Sequence, residues 1–358
     1  METKITIRDV AEKAGVSISS VHIALNGKKG VSEETRKHIC KVARELGYHP
    51  NEYASSLKRK HQNILIMLPG VEGNNQYFFP PMWQGIHDYI KGHYANLGFA
   101  ELPYADTESD RQRAAEKAHG LIRAERVDGI LTAGHVDLLT AHDQELMRER
   151  HIPVVYVNSE PDAKDYLCCV EPYYDAIGRT MAELITERIE PYGSIFLLAG
   201  NPRYKSHSRI VDGFDAYLNE NNITNMVYKD HSWTIDNANY VHILREVMRP
   251  DIAACAAVYS QGTILLGKAL EESGKTDLFA VGSDLSAETV DRVRRRVFNN
   301  VIQKNPYAQG YLGIRILAEH LVSGKDPDAQ QIYVGADVVF RSNLSLYEKA
   351  DYGQMIFY

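Results

Sequence analysis

The stretch TIRDVAEKAGVSISSVHIALNG, from Thr6 to Gly27, reads as two short helices joined by a tight turn. Ile7, Val10, Ala11 and Ala14 recur at i, i+3, i+4 and i+7, which puts one apolar stripe on the first helix. Thr6 is placed to cap its start, with Asp9 three residues later as a capping-box-like partner. Gly15 supplies the turn and Ser17 caps the second helix, giving a helix-turn-helix of ordinary dimensions. VSEETRKHICKVARELGYHPN, Val31 to Asn51, then adds a third helix. Ser32 is its cap, Ile39, Val42, Ala43 and Leu46 its buried stripe, and Gly47 its terminator. In such a unit the second helix enters the major groove of DNA.

Stepping about 100° per residue along that helix sorts its side chains. Val21 and Leu25 share the buried face; Ser19, Ile23 and Asn26 oppose it, with His22 at the flank and Ile18 in the first turn. An isoleucine facing the groove can pack on a thymine methyl, while Ser19 and His22 can donate or accept at base edges. Ile23 has a second reading, packing on a neighbouring helix. The candidate DNA contacts of the head are Thr6, Ser17, Ile18, Ser19, Ser20, His22, Ile23 and Asn26.

Charge agrees with this. Residues 1–60 hold 12 Lys+Arg against 7 Asp+Glu, a balance of +5, so the remainder carries −12 of the total −7. A basic head on an acidic body concentrates attraction for phosphate at one end. No run is long and apolar enough to span a bilayer and METKITIRDV lacks the apolar core of a signal peptide, so a cytoplasmic protein is expected. Cys40, Cys168, Cys169 and Cys255 have neither metal-ligand spacing nor a disulfide framework and read as reduced. No metal site and no cofactor are expected.

From Asn63 onward, short apolar runs alternate with amphipathic segments. The clearest strands are 64–68, 129–133, 154–158, 194–200, 253–260 and 278–284, and the helical segments include RQRAAEKAHGLIRAE and GTILLGKALEESG. This alternation predicts parallel sheets with helices on both faces, in two lobes. Ligands of such sheets sit beyond the carboxyl ends of the strands. That rule selects residues 74–79, 158–159, 201–209, 259–261 and 284, a polar and aromatic set suited to a neutral polyhydroxy compound.

The stretches TIRDVAEKAGVS, VSEETR and ELGYHPN resemble the lactose-repressor (LacI) family of bacterial regulators almost residue for residue. RIVDGF at 209–214, VGSD at 281–284 and VIQKNPYAQGYLGIRIL at 301–317 resemble a periplasmic sugar-binding-protein-like body, so the likeness covers nearly the whole chain. It implies a small all-α helix-turn-helix head and a two-lobed α/β body of the type I periplasmic-binding-protein kind, with parallel sheets. The expected domains are a head at 1–49, a hinge at 50–61, a body at 62–342 and a tail at 343–358.

The resemblance also implies a homodimer gripping a pseudo-palindromic double-stranded operator, and a repressor controlled by a small-molecule effector, a sugar or polyol, with no membrane partner. In the hinge PNEYASSLKRK, Asn51, Ala54 and Leu57 stand at matching positions, with Leu57 the candidate minor-groove wedge or, alternatively, a residue packed on its own domain. By the same matching Asn158, Arg209, Asp284 and Gln303 are ligand contacts, with Phe78 and Phe79 stacking on the ligand. Each also has a plainer account: Arg209 pairing with a carboxylate, Asp284 capping a helix, Gln303 spanning the lobe crossover, one Phe in the core.

Several positions depart from the family. Ser20, Val21, His22 and Ile23 replace a frequent Thr-Val-Ser-Arg, Ser55 replaces a hinge Arg, Gln261 and Gly262 replace an Asn-Asp pair, and Tyr173 stands at a common acidic position. Neither operator nor ligand can therefore be copied from relatives. A corepressor ligand or partner protein is the alternative signal. An enzyme is disfavoured, because the chain has no nucleophile elbow, phosphate-cradling glycine loop or His/Cys/carboxylate metal set.

Overall fold

The computed structural model describes residues 7–25, 30–46, 62–92, 97–105, 107–134, 138–162, 164–275 and 277–349. The chain divides into two units, residues 1–60 and 61–358.

The first unit is the three-helix head: α1 Ile7–Ala14, α2 Ile18–Leu25 and α3 Glu33–Glu45. Val10, Val21 and Ile39 are fully buried at its centre, ringed by Ala11, Ala14, Ala24, Val42 and Ala43. Gly15 turns the chain at φ 66°, a left-handed value that suits glycine. Ser17 Oγ accepts from Ser20 N at 3.1 Å and Ser32 Oγ from Thr35 N at 3.2 Å, so both caps form as the sequence predicts. Arg36 Nη1 donates to the carbonyls of Ile23 and Ala24, tying α3 to the otherwise unsatisfied end of α2. The Thr6 cap and the Gly47 terminator lie outside the described residues.

The second unit has two lobes, each on a six-stranded sheet. The N-lobe sheet runs β11-β5-β4-β3-β1-β2 and is parallel throughout, from β1 Gln62–Met67, β2 Leu97–Glu101, β3 Gly129–Ala133, β4 Val154–Val157, β5 Cys168–Pro172 and β11 Gln331–Val334. The C-lobe sheet runs β12-β10-β9-β8-β6-β7, from β6 Ser194–Leu198, β7 Val227–Asp230, β8 Ile252–Ala257, β9 Phe279–Ser283, β10 Asn300–Gln303 and β12 Asp337–Phe340. Its edge strand β12 pairs antiparallel with β10, the one departure from the all-parallel expectation among the described strands. β3, β4 and β6 are buried along their whole length, which is why they read as continuous apolar runs; β5 is equally buried, but its sequence CCVEP carries Glu171 and was not among the predicted strands.

Helices α4 Phe79–Gly92, α5 Glu108–Arg123, α6 Ala141–Glu149 and α12 Pro306–Ser323 cover the N-lobe sheet. Helices α7 Tyr174–Thr186, α8 Lys205–Glu220, α9 Asn237–Val247, α10 Ser260–Ser273, α11 Ala287–Arg294 and α13 Leu344–Lys349 cover the C-lobe sheet. Leu344 is buried in the C-lobe core, so α13 packs with the body although the sequence places it in a tail. The chain passes between lobes three times, after β5, after β10 and between β11 and β12.

One helix pair in each lobe touches backbone to backbone. A Cβ on Gly310 of α12 would fall 2.2 Å from Met82 O of α4, and one on Gly178 of α7 would fall 1.9 Å from Ile210 O of α8. Side chains at those glycines would wedge the pairs apart. These contacts fix the starts of α4 and α8, from which several cleft side chains project.

Candidate functional site

The carboxyl ends of the strands converge on a cavity between the lobes. It is lined from the N-lobe by Asn75, Phe78, Phe79 and Asn158, and from the C-lobe by Tyr204, Ser206, His207, Trp233, Tyr259, Ser260, Gln261 and Asp284, with Lys304 from the crossover after β10. Asn158 and Asp284 end their strands at φ 68° and 63°, left-handed values that Asn and Asp tolerate better than other side chains. Backbone bonds hold both turns: Asn158 N donates to Val170 O at 3.1 Å and Asp284 N to Ile302 O at 2.9 Å.

Asp284 is the most unusual group in the wall. It is 3% exposed, and among the described residues its carboxylate is met by Lys304. Lys304 Nζ stands 3.0 Å from Oδ2 as an ionic contact, donates to Val258 O at 3.1 Å, and lies 5.6 Å from the centre of the Phe78 ring. Burial pushes the Asp284 carboxyl above the usual range, and Lys304 offsets only part of that shift. A buried carboxylate with acceptor capacity left over is costly unless something else supplies donors.

Aromatic rings form the rest of the wall. Phe78 and Phe79 meet edge to face at 5.2 Å, and Tyr204 packs against both Trp233 at 6.1 Å and His207 at 5.4 Å. Tyr259 lies beside His207 at 5.2 Å and donates its hydroxyl to Ser232 O. A Cβ at residue 262 would fall 2.6 Å from the Tyr259 ring, so Gly262 makes room for that ring. His207 Nδ1 accepts from Asn201 N at 3.1 Å, which leaves the ring proton on Nε2. Gln261 Nε2 donates to Asn74 O at 2.7 Å, a direct link from α10 to the N-lobe.

Of the six expected ligand contacts, Phe78, Phe79, Asn158 and Asp284 line this cavity. Arg209 does not. Its Nη1 bonds Glu171 Oε1 at 2.7 Å and its Nε and Nη2 bond Asp175 Oδ2, so the guanidinium ties α8 to the crossover after β5. Glu171 is 1% exposed; burial raises its carboxyl and Arg209 pulls it part of the way back. Gln303 is also outside the lining: its Oε1 accepts from Leu285 N at 2.9 Å and braces the loop that carries Asp284. Arg209 thus pairs with carboxylates, while the Gln303 contact lies within the C-lobe and does not span the crossover.

Sequence reasoning missed Trp233 and Lys304. Trp233 follows β7, a short, half-exposed edge strand with a polar VYKD sequence, and an unrecognised strand has no recognised carboxyl end. Lys304 adjoins Gln303, and the strand-end rule applied to β10 would have found it.

In the head, α2 presents Ile18, 46% exposed, together with exposed Ser17 and Ser19. Ser20 is half-buried, and its Oγ bonds Ser17 Oγ at 2.8 Å. Ile23 is half-buried beside Gly30, so Ile18 is the more solvent-facing isoleucine of the two. Thr6, Asn26, Asn51, Ala54, Leu57 and the His22 side chain lie outside the described residues. Among the described residues no group of three or more His, Cys, Asp or Glu could hold a metal ion, and no helix is long and apolar enough to cross a membrane.

A helix-turn-helix unit on a two-lobed body with an interlobe cleft defines the class: a DNA-reading head joined to a periplasmic-binding-type fold. Residues 64–326 match the periplasmic binding protein domain family and residues 6–51 match bacterial regulatory proteins, lacI family. The chain belongs to the periplasmic binding protein domain family through its body, and its head matches the bacterial regulatory proteins of the lacI family. Catabolite control protein A of Staphylococcus aureus (strain Mu50 / ATCC 700699) is 25% identical over 222 residues, 61% of this chain and 63% of that protein. The HTH-type transcriptional regulator MalR of Streptococcus pneumoniae serotype 4 is 32% identical over 131 residues, 36% of this chain and 38% of that protein. The match thus spans less than two thirds of these curated relatives. The periplasmic ribose ABC transporter structure from Conexibacter woesei DSM 14684 shares the fold at a TM-score of 0.69, with 14% identity over 83% of this chain and 97% of that one.

Proposed function

We propose that the protein is a sequence-specific DNA-binding transcriptional regulator, a homodimeric repressor whose operator affinity is set by a sugar or polyol bound between the lobes. Its partners are double-stranded operator DNA, the small-molecule effector and a second copy of itself, and it works in the cytoplasm without catalysis. The observation that carries this reading is the pairing, in one chain, of an exposed α2 on a helix-turn-helix with a cleft whose wall holds a buried Asp284 carboxylate that Lys304 only partly satisfies. Ser19 and Ile18 are the contacts proposed for base edges, Leu57 is the proposed minor-groove wedge, and the residues at 50–61 are the proposed hinge.

The mechanism follows from differential binding. A ligand gripped by both walls favours one lobe closure, and that closure changes how a pair of heads meets two half-sites. Coupling is reciprocal, so a ligand that releases the operator must bind the DNA-free form more tightly. The test begins by selecting operators from random duplexes with the full chain. Operator affinity is then measured with and without a compound shown by calorimetry to bind the cleft. A change of tenfold or more is expected; unchanged affinity with the cleft saturated would overturn the reading.

A further inference from the structure

Given that the cleft is the effector site, as proposed above, we infer that it selects by charge: it takes an uncharged, donor-rich ring and rejects the phosphorylated or carboxylated form of the same ring. Asp284 is the acceptor that demands donors. Lys304 is its internal counter-ion and has no capacity left to hold an anion.

Three observations carry this. The first is Asp284 itself, 3% exposed and lining the cavity, with Lys304 as its partner 3.0 Å from Oδ2 and acceptor capacity left over. A carboxylate accepts and cannot donate, so a ligand must bring O–H or N–H groups to it. The second is the way Lys304 is used. It is 5% exposed, and its three donor directions go to Asp284 Oδ2, to Val258 O and towards the face of Phe78. A point charge held on three sides offers a phosphate little.

The third is the charge around the pair. Arg209 is held by both Glu171 and Asp175, so these five groups sum to −1. Tyr174 connects this cluster to the cleft wall: the Arg209 guanidinium lies 5.8 Å from its ring centre, and its hydroxyl donates to the carbonyl of Asn158, which lines the cavity. His207 Nδ1 is occupied as the acceptor of the Asn201 N–H. The other described lining side chains are neutral amides, hydroxyls and rings. A second negative charge here would meet carboxylates in a poorly solvated wall without a free cation to receive it.

The experiment is calorimetry on the full chain with matched sets: D-ribose and ribose 5-phosphate; D-glucose, glucose 6-phosphate, D-glucuronate and D-glucosamine; and myo-inositol. In any set that binds, the neutral member is expected to bind at least a hundredfold tighter than its anionic form, and Trp233→Ala should weaken it. Lys304→Met, which leaves Asp284 uncompensated, should move preference at least tenfold towards protonated glucosamine. Where that variant does not fold, the double variant Asp284→Asn with Lys304→Met removes both charges and should reduce the neutral-to-anion ratio by tenfold or more. A phosphorylated or carboxylated member binding as tightly as its neutral form overturns the charge rule while leaving the cleft as a ligand site. If no member of any set binds, the sugar-cleft reading falls and the charge rule falls with it.

Discussion

Asp143 in the N-lobe and Asp284 in the C-lobe are both buried carboxylates, and they differ in how their oxygens are satisfied. Asp143 in the N-lobe is 1% exposed, and its oxygens are used: Oδ2 takes the backbone N–H of Thr140 at 2.9 Å and the Thr140 hydroxyl at 2.6 Å, while Oδ1 meets His119. Asp284 in the C-lobe is about as deeply buried, and among the described residues its carboxylate is met by Lys304. Burial raises both carboxyls, but for Asp143 the bonds from Thr140 and His119 outweigh it and leave that group below the usual range, whereas Asp284 stays above it. Burial alone therefore does not mark a site. Asp143, with its acceptors filled, closes a capping box and holds α6 to α5; Asp284, met by Lys304, lines the cleft.

Removing each carboxylate in turn is the sharpest way to break this comparison. Asp284→Asn is expected to weaken a cleft ligand about a hundredfold, roughly 2.7 kcal/mol, in the range of a hydrogen bond to a charged group. Calorimetry checks it, and equal affinity in the variant would remove Asp284 from the site. Asp143→Ala should leave that affinity untouched and instead cost about 2 kcal/mol of stability, from the lost cap and the lost His119 contact. Thermal or urea unfolding measures this directly. Should the ligand constant of Asp143→Ala also fall tenfold, the division of labour between the two groups would be wrong.

Trp233→Ala tests the wall on which Asp284 sits. Trp233 is half-buried and packs on Tyr204, so its loss should cut ligand affinity about tenfold, roughly 1.4 kcal/mol, with little change in melting temperature. Ser17→Ala, far from either carboxylate in sequence, should cost about 1 kcal/mol by removing the cap of α2. Circular dichroism of the helical head reads that change, and ligand binding should not register it. The smallest effect is in pH. Because the folded Asp143 carboxyl lies below its unfolded value, its contribution is full above about pH 4. It is lost as pH falls through the folded value, so Asp143→Asn should flatten that part of the acid-unfolding curve.

Much of this was legible in the chain. The head was readable because its stripes and caps are local: Val10, Ala11 and Ala14 are buried as their spacing requires, and Ser17 and Ser32 bond where caps bond. Most central strands were readable because burial on both faces leaves them wholly apolar. The edge strands β2 and β7 and the late strands β10, β11 and β12 were not, since half-exposed or short segments carry mixed sequences. That is why Trp233 went unassigned.

Arg209 shows the other limit. Its residue type and position were right for a ligand contact, and nothing local in the sequence says that Glu171, 38 positions away, would reach its guanidinium. Asp284 was found because a strand end in a parallel sheet is a place before it is a contact. Its pairing with Lys304 could be seen only with the coordinates of its neighbours.

The central claim is that a compound held by Asp284 in the cleft controls what the head does on DNA. The direct measurement is operator affinity by fluorescence anisotropy for wild type and Asp284→Asn side by side, titrated with a neutral sugar or polyol that calorimetry shows to bind wild type. The account predicts a shift of tenfold or more in wild type, and in the variant a shift that appears only at about a hundred times the concentration. Identical titrations in the two proteins, or no shift in wild type at saturation, would contradict it.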